Sequence, residues 1–495
     1  MPAWRSFVRA RAASATFVAF VVFLSWAVPA GDALAAQGDR LQISTQPSLY
    51  PTFNGAVSDY VVRCQPGTPV QVSVDAPPGT KVSVDNGPAR QHSFTAQVNL
   101  RSGQEFMITV NPPGGGKTNY YVRCLPSDFP QWTTERLATP QAEWYITAPT
   151  FRFGTFLPDG HYVVVFDTNG VPVWWYDTGS ARPADTKLLP NGDIAWTDLQ
   201  ARAEEHKLDG TLVASPTVAR TAFGVIWDLH DIQLLPNGDY LLLGGYPRQA
   251  DLSPFGGPSN ATIFNNVVQE IAPNGNLVWQ WDTNDHIPLR EVPSHWWPLI
   301  LSGGTSSSYD TFHINSAEWK NGNVHISFRH LDAIYEVSRS TGKILWKLGG
   351  IPRPESLTPV GDPYASTSIF GGQHDARILP DGTVTVHDNG TGFARPPRAV
   401  RYRLDLTGRT ATLIEQVTDP DVGGSGCCGS ARKLPTGDWL VDWGLNPYVT
   451  ELTPTGNRVF RITFSNMFAY RAFPVMPGQL SRSALRAGMD EQYPR

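Results

Sequence analysis

Apolar and polar residues alternate in short runs over residues 37–130, a period of two that is typical of half-buried β-strands. Examples are Val70–Val74 and Lys81–Val84, and Pro/Gly turns such as Pro112–Gly116 separate the runs. The pattern predicts a small antiparallel β-sandwich of the immunoglobulin or cadherin type. None of its polar residues indicates a site, so we interpret it as an accessory or binding domain.

From about residue 140 to residue 475, similar strands are joined by a repeated pair of turns. The first turn has the form Leu-Pro-x-Gly, and a second glycine-containing turn follows, then another apolar strand that often carries tryptophan, as in Val173–Trp175. Strand, turn, strand, turn, strand is one blade of a β-propeller. Six copies predict an all-β, six-bladed β-propeller, with residues 476–495 as a C-terminal tail. The first turns are Leu157–Gly160, Leu189–Gly192, Leu235–Gly238, Leu379–Gly382, Leu434–Gly437 and a degenerate copy, Trp319–Gly322.

The amino-acid composition supports an all-β fold, and the charge bears on which partners the protein can bind. The 495 residues include 45 Gly and 42 Pro, an excess of turn formers that argues against a helical bundle. Charged residues make up 17% and aromatic residues 11%, so the chain can bury enough apolar surface to avoid disorder. The net charge is -5 and basic residues are scattered, so no nucleic-acid partner is expected.

The first 35 residues have the features of a secretory signal peptide. Arg5, Arg9 and Arg11 precede an apolar run at Thr16–Val28, and Ala33–Ala35 forms a small-residue cleavage site before Ala36. The sequence therefore predicts a protein that is secreted or held in the cell envelope. An uncleaved signal segment, the alternative, would add contact with a membrane.

The four cysteines fall into two pairs by context. Cys64 and Cys124 end two nearly identical strand-like segments, and in an exported protein we expect them to form a disulfide. Cys427 and Cys428 are adjacent within a glycine-rich segment. A vicinal disulfide, two reduced thiols and bonds to partners elsewhere all remain open for this pair.

Three histidines occupy matching places in the repeat. His230 and His374 each stand six positions before the proline of a first turn, and His313 stands seven positions before the residue that replaces it. These places begin the strand that is usually innermost in a propeller blade, so we expect the three imidazoles to converge on the central channel. The other histidines that we considered are interpreted as structural or surface residues, namely His92, His161, His206, His286 and His325.

Arg329 follows on the next strand of the His313 unit. A guanidinium near three imidazoles suits an anion such as sulfate, phosphate or carboxylate, and it argues against a metal ion, which it would repel. A surface ion pair is the alternative for Arg329. Asp231 and Asp375 directly follow two of the histidines, and we expect them to cap turns or join neighbouring blades rather than to act on a substrate.

At these residues the sequence resembles the bacterial arylsulfotransferases, and its segments Gly423–Ser430 and Leu434–Gly444 resemble the actinobacterial and fungal branch of that family. The resemblance implies ping-pong transfer of a sulfuryl group from a phenolic sulfate donor to a phenolic acceptor, with neither nucleotide nor cofactor nor metal. By position, His374 would be the nucleophile that forms a sulfohistidine, while His230, His313 and Arg329 would hold the sulfuryl oxygens. The motifs that carry the resemblance are Trp227–Asp231, Asp310–Ser316, Ser327–Ile334, Gly372–Asp375, Asp388–Gly390, Gly423–Ser430 and Leu434–Gly444.

Two other functions are consistent with a propeller of this composition. The tryptophan-rich blade strands would also suit a quinone-dependent or metal-dependent oxidoreductase. A non-catalytic propeller could instead bind a phenol or a glycan in its channel and use the sandwich to attach to the cell surface.

Overall fold

The computed structural model describes residues 40–152, 160–199, 202–303 and 308–495. The predicted signal peptide lies outside these residues, and so does the turn at Leu157–Gly160 apart from its final glycine. Within the described ranges, none of the helices is long and apolar enough to cross a bilayer.

Two sheets form the N-terminal sandwich. Alternate residues of the strand Val70–Asp75 are buried, with Val70, Val72 and Val74 facing the core as the period of two requires. A disulfide joins Cys64 to Cys124, which confirms the predicted pairing. One sheet has the order β1-β3-β5 and the other β2-β7-β6-β4. The strands are β1 (Gln42–Gln46), β2 (Asp59–Val62), β3 (Val70–Asp75), β4 (Lys81–Val84), β5 (Phe94–Val98), β6 (Glu105–Asn111) and β7 (Thr118–Cys124).

Six further sheets follow, each with four or five strands, and they confirm the predicted all-β propeller. The first blade contains β9 (Trp144–Arg152), β10 (Tyr162–Asp167) and β11 (Pro172–Asp177). The second contains β12 (Pro183–Leu188), β13 (Ile194–Asp198), β14 (Ala203–His206) and β15 (Leu212–Ala214). The third contains β16 (Ile226–Leu234), β17 (Tyr240–Ala250), β18 (Ala261–Ile271) and β19 (Leu277–Asp282), with the short β20 (Tyr309–Asp310) paired to β18.

The other three blades repeat this arrangement. The fourth contains β21 (Ile314–Lys320), β22 (Asn323–Phe328), β23 (Ala333–Ser338) and β24 (Ile344–Gly349). The fifth contains β25 (Thr358–Val360), β26 (His374–Ile378), β27 (Val384–Asp388), β28 (Arg398–Asp405) and β29 (Thr410–Val417), with β25 at its edge. The sixth contains β30 (Ser430–Lys433), β31 (Trp439–Asp442), β32 (Tyr448–Leu452) and β33 (Arg458–Phe464).

Strands distant in sequence close the ring. In the first blade, β34 (Met467–Val475) pairs with β9. It contacts the strands β12 and β30 of the two adjoining blades. In the sixth blade, β8 (Trp132–Arg136) pairs with β33 as an additional strand. The first and last blades are each completed by a strand from the other end of the propeller sequence, which holds the ring shut.

Tryptophans of the blade strands bind one blade to the next. The indole N–H of Trp132, Trp174 and Trp281 donates to a carbonyl in the second turn of the following blade. The acceptors are the oxygens of Gly170, Leu208 and Gly342, at 2.9, 2.7 and 3.0 Å respectively. Buried indoles need such partners, so the tryptophan-rich pattern has a packing role in this fold.

Helical segments are few and short. The helix α3 (Arg482–Gln492) lies within the predicted C-terminal tail and begins after Ser481, whose side chain accepts a hydrogen bond from the amide of Ala484. Leu485 and Met489 of α3 belong to the same core cluster as Trp174 of the first blade. The helices are α1 (Thr283–His286), α2 (Trp297–Gly303) and α3 (Arg482–Gln492), and the 3-10 turns are Ser253–Phe255, Leu289–Glu291, Ser294–Trp296 and Arg329–Leu331.

Candidate functional site

The three histidines in register lie at the inner strands of consecutive blades. His230 is in β16 at a shift in register, His313 immediately precedes β21, and His374 begins β26. The rings of His230 and His313 have their centroids 4.9 Å apart. Inner strands of adjacent blades run side by side, so matching positions in the repeat are brought to one end of the channel.

Carboxylates orient two of these rings. The Nδ1 atom of His230 is hydrogen-bonded to Asp228, and that of His313 to Asp310. Within the described part of the chain, no hydrogen bond engages the Nε2 atom of either ring. A carboxylate on one imidazole nitrogen fixes the ring plane, so each ring presents its other nitrogen for contact with a ligand.

His374 is the most enclosed of the three, with 1% of its surface exposed. Its Nδ1 atom lies 2.9 Å from the carbonyl oxygen of Gly372 and 2.8 Å from Oδ1 of Asn389. Its Nε2 atom accepts a hydrogen bond of 3.1 Å from the amide of Cys428. Burial, and then the positive charge of Arg329, hold the pKa of His374 well below its usual range, so the ring is neutral near pH 7.

Arg329 lies just beyond β22, in the 3-10 turn Arg329–Leu331, and only 8% of its surface is exposed. Its guanidinium stacks over Trp296 at 4.7 Å, donates to the carbonyl of Gly426 at 2.7 Å and lies 2.6 Å from Nε2 of His330. Burial lowers the pKa of Arg329. The side chain is thus part of the interior of this site and not of a surface ion pair.

His330 is a site residue that the sequence analysis missed. Its Nδ1 atom bonds to the carbonyl oxygen of Asp310 at 2.8 Å, and its ring centroid is 4.9 Å from that of His313. Burial lowers the pKa of His330 to about 3, so the ring is neutral. His330 stands outside the repeat register, and its position beside Arg329 was the one signal in the sequence.

Asp310, His313 and His330 offer atoms within 4.8 Å of one another, the spacing of a metal site. The hydrogen bonds that these side chains already make do not suit a metal ion. A neutral imidazole has one N–H and one lone pair, and His330 uses the first on Asp310 and the second on Arg329. A guanidinium at this position would also repel the ion. The cluster is better suited to an anion.

Buried ion pairs lie beside the histidines and connect the inner strands. Asp231 contacts Lys187 of β12 at 2.8 Å and Arg377 of β26 at 2.7 Å. Asp375 contacts Arg432 of β30 at 2.7 Å. Both carboxylates therefore join neighbouring blades, as expected from the sequence.

The glycine-rich segment Gly423–Ser430 covers one side of the site. In this segment a disulfide joins Cys427 to Cys428. Of the three arrangements that the sequence left open, the structure therefore has the vicinal disulfide. A cleft of about 490 Å³ lies next to it, lined by residues 389–396 and 423–425. The cleft borders Asn389, the partner of His374, so it gives a substrate a place near that ring.

Histidines interpreted as structural have their own partners. His206 is stacked on Trp196 at 4.4 Å, and His286 is stacked on Trp281 at 4.8 Å. His325 lies 3.3 Å from Glu336. His92 is exposed, at a positive φ of 62° in a loop of the sandwich. None of these contacts involves the three histidines in register.

Fold and site together define a propeller whose inner strands bring three imidazoles and a guanidinium to one place. The family model described as arylsulfotransferase (ASST) matches residues 200–465, more than half of the chain, and includes all four of these side chains. The chain belongs to the arylsulfotransferase family. No curated protein matches it.

Solved structures of low sequence identity also resemble the chain. A protein of unknown function from Bacteroides caccae is 12% identical, with 68% of this chain and 99% of that chain covered and a TM-score of 0.41. The WD40 β-propeller domain of Doa1 is 12% identical, with 78% and 97% covered and a TM-score of 0.33. BamB from Moraxella catarrhalis is 10% identical, with 74% and 84% covered and a TM-score of 0.27.

Proposed function

We propose that this protein transfers a sulfuryl group from an aryl sulfate to a phenolic acceptor through a sulfohistidine at His374. The observation that carries the proposal is a neutral, buried imidazole beside a buried guanidinium and two oriented imidazoles. Family membership supports the reaction class, with an aryl sulfate as donor and a phenol as acceptor.

In the first half-reaction, the lone pair on Nε2 of His374 attacks the sulfur atom of the donor. An N–S bond forms while the S–O bond to the aryl group breaks, and the electron pair leaves on the phenolate. Arg329, His230 and His313 contact the sulfuryl oxygens as charge moves toward the leaving group. The acceptor oxygen then attacks sulfur, its proton is lost to solvent or to a nearby base, and the lone pair returns to Nε2.

Neutral His374 is essential to this chemistry, because a protonated imidazole has no lone pair on either nitrogen. An imidazole with an ordinary pKa near 6.5 would be protonated in part at mildly acidic pH. Burial and Arg329 lower the pKa of His374, so the nucleophile stays in its reactive form. The same guanidinium that attracts the donor thus keeps the nucleophile neutral.

The decisive experiment uses a nitrophenyl sulfate donor and a phenol acceptor. Nitrophenol release that depends on the acceptor is expected, and a brief exposure to donor alone should add one sulfuryl mass to the peptide that contains His374. Release without acceptor would indicate a sulfatase, and binding without release would indicate a binding propeller. A chromophore in the purified protein would favour the oxidoreductase.

The variant His374→Ala removes the nucleophile. We expect it to lose donor cleavage to the background rate and to lose the added sulfuryl mass, while His325→Ala, at a histidine of β22 that contacts Glu336, keeps both. Wild-type cleavage by His374→Ala would refute the assignment.

We also propose that the chain is exported after removal of residues 1–35, which leaves the sandwich at 37–130, the propeller at 140–475 and the C-terminal segment at 476–495. The disulfide between Cys64 and Cys124 supports this proposal, since such bonds persist in oxidising compartments. N-terminal sequencing of the protein from culture medium or envelope should begin at Ala36. A start at Met1 in the envelope would show the uncleaved anchor instead.

A further inference from the structure

The two nitrogens of His374 face different kinds of partner. Both groups at Nδ1, the carbonyl oxygen of Gly372 and Oδ1 of Asn389, are hydrogen-bond acceptors. The group at Nε2, the amide of Cys428, is a donor. Only a ring with its proton on Nδ1 and its lone pair on Nε2 satisfies all three contacts.

The orientation of Asn389 is set by two contacts on its other side. Its Nδ2 atom donates to Oγ of Ser425 at 2.7 Å and to the carbonyl of Cys428 at 3.0 Å. A carbonyl accepts only, so the amide nitrogen must face Cys428 and the amide oxygen must face His374. The side chain is 1% exposed, so water does not compete for these contacts.

We propose that Asn389 is a positioning residue that fixes His374 in the Nδ1–H form, so that Nε2 carries the lone pair that attacks sulfur. The inference rests on the proposed function and gives the reason why Nε2 is the reacting atom. Asn389 acts on both ring nitrogens: on Nδ1 directly, and on Nε2 through residue Cys428, because Asn389 binds the carbonyl of Cys428 and the N–H of Cys428 donates to Nε2.

The geometry has a consequence for the charge that develops during transfer. As the N–S bond forms at Nε2, the Nδ1 proton stays on the ring, and the imidazole becomes a cation while the aryl oxygen leaves with the bonding pair. Hydrogen bonds from a charged donor are stronger than those from a neutral one. The contacts of Nδ1–H with Asn389 and Gly372 therefore strengthen as the intermediate forms.

The Cys428 amide marks the place of the incoming group. In the structure the N–H of Cys428 donates a hydrogen bond to the lone pair on Nε2 of His374. This hydrogen bond must break when sulfur bonds to Nε2. The N–H then lies beside the transferred group, where a sulfuryl oxygen can accept its hydrogen bond. The glycine-rich segment that holds Cys428 thereby contributes a backbone donor next to the nucleophile.

The test compares Asn389→Leu with Asn389→Asp in the full-length protein. The leucine variant loses the acceptor at Nδ1, so we expect kcat to fall at least tenfold, while KM for a nitrophenyl sulfate changes less than threefold because Arg329, His230 and His313 are retained. The aspartate variant keeps an acceptor, so it should recover most of kcat. Its negative charge raises the pKa of His374, which should move the acid limb of the kcat profile to higher pH.

A matched control is Asn446→Leu. Asn446 donates to the carbonyls of Gly424 and Trp443, so it supports the same glycine-rich segment without contact with His374. Its kcat should stay within twofold of wild type. A loss equal to that of Asn389→Leu, or an aspartate variant as impaired as the leucine variant, would show a purely structural role and overturn the proposal.

A second measurement does not depend on turnover. In protein labelled with ¹⁵N-histidine, NMR at pH 7 should show a protonated Nδ1 and an unprotonated Nε2 for the resonances absent from His374→Ala. A protonated Nε2 in the wild type would overturn the inference. If the wild type shows the expected tautomer but transfers no sulfuryl group, the proposed function fails and the positioning role stands.

Discussion

Arg329 shows how one side chain serves several parts of the site. Its guanidinium stacks on Trp296, binds the carbonyl of Gly426 and contacts Nε2 of His330. The Nε atom of Arg329 is buried without a hydrogen-bond partner among the described residues. A buried donor without a partner costs free energy, which an anionic acceptor such as the sulfuryl group of the proposed donor would recover.

Two substitutions distinguish the effect of the positive charge of Arg329 from that of its planar guanidinium. Arg329→Ala should raise KM for the donor and lower kcat by about 10²–10³-fold, the usual effect of losing a donor to a developing oxyanion. Arg329→Lys keeps the charge but has no planar fork, so its kinetics should be intermediate. Steady-state kinetics with a nitrophenyl sulfate measure both. Equal rates for Arg329→Lys and wild type would show that charge alone matters, and Arg220→Ala, an exposed arginine, is the control.

At the scale of single residues, the sequence predicted the side chains that stand at equivalent positions of the repeat. His230, His313 and His374 were found because a propeller places equivalent positions on one axis, and Arg329 because it follows in the same unit. His330 and Asn389 were not identified as site residues. They reach the site through turns between strands, where no periodicity applies and backbone geometry decides which side chain points inward.

At the scale of elements, the inner strands are joined by charges rather than by apolar contacts alone. Arg471 of β34 contacts Asp185 of β12 at 3.0 Å and the carbonyl of Asn315 of β21 at 2.6 Å. Burial alone would lower the pKa of Arg471, but Asp185, Asp375 and Asp231 raise it above its usual range. One arginine in the first blade thus binds strands of the second and fourth.

Removal of Arg471 should destabilise the ring. Arg471→Met leaves buried carboxylates without their counter-charge, which costs about 3–5 kcal/mol when one partner of a buried pair is lost. Urea unfolding at pH 7 measures the change. Arg136→Met, an exposed arginine of β8, should change the free energy of unfolding by less than about 0.5 kcal/mol. Equal effects of the two substitutions would contradict a network role for Arg471.

The blades were predictable as elements because each repeats the same two turns. The closing strands were not, since β8 precedes the first repeat turn and β34 follows the last one. Pairing between them and the blades depends on the ring geometry, which brings residues 132–136 next to β33 and residues 467–475 next to β9. The helix α3 was likewise treated as a tail, because its 11 residues gave no repeat signal.

For the whole molecule, α3 connects the sandwich to the propeller. Arg486 of α3 holds Asp59 of the sandwich through two contacts of 2.7 and 2.8 Å, and Arg123 of the sandwich reaches Asp490 at 2.8 Å. α3 also packs on β11, and its residues Leu485 and Met489 belong to the core cluster of the first blade. The two parts are therefore held together by ion pairs from α3 to the sandwich and by apolar contacts of α3 with the propeller.

Three buried histidines make a contribution to stability that is lost as the solution becomes acidic. Burial holds the pKa of His374 well below its usual range and lowers that of His330 to about 3 and that of His387 to about 4. These pKa values lie below the unfolded value near 6.5, so these residues bind more protons in the unfolded chain and their contribution to the free energy of unfolding decreases as pH falls below about 6.5. Between pH 7 and pH 5, each histidine contributes a loss of about 2 kcal/mol.

His387 allows this contribution to be measured alone. It is fully buried and its Nδ1 atom lies 3.2 Å from the carbonyl of Cys428, a contact that the amide of His387→Asn can replace. Urea unfolding at pH 7 and pH 5 should show a loss about 2 kcal/mol smaller in the variant than in the wild type. Equal losses would show that His387 is protonated in both states.

The closure of the ring by β34 also orders the events of biosynthesis. β34 is made after the other described strands of the propeller, and Arg471 within it contacts inner strands of other blades. A ribosome-bound chain that lacks β34 has an open first blade, with β9 exposed as an unpaired edge. Until this strand has emerged, the inner strands β12 and β21 lack their contacts with Arg471.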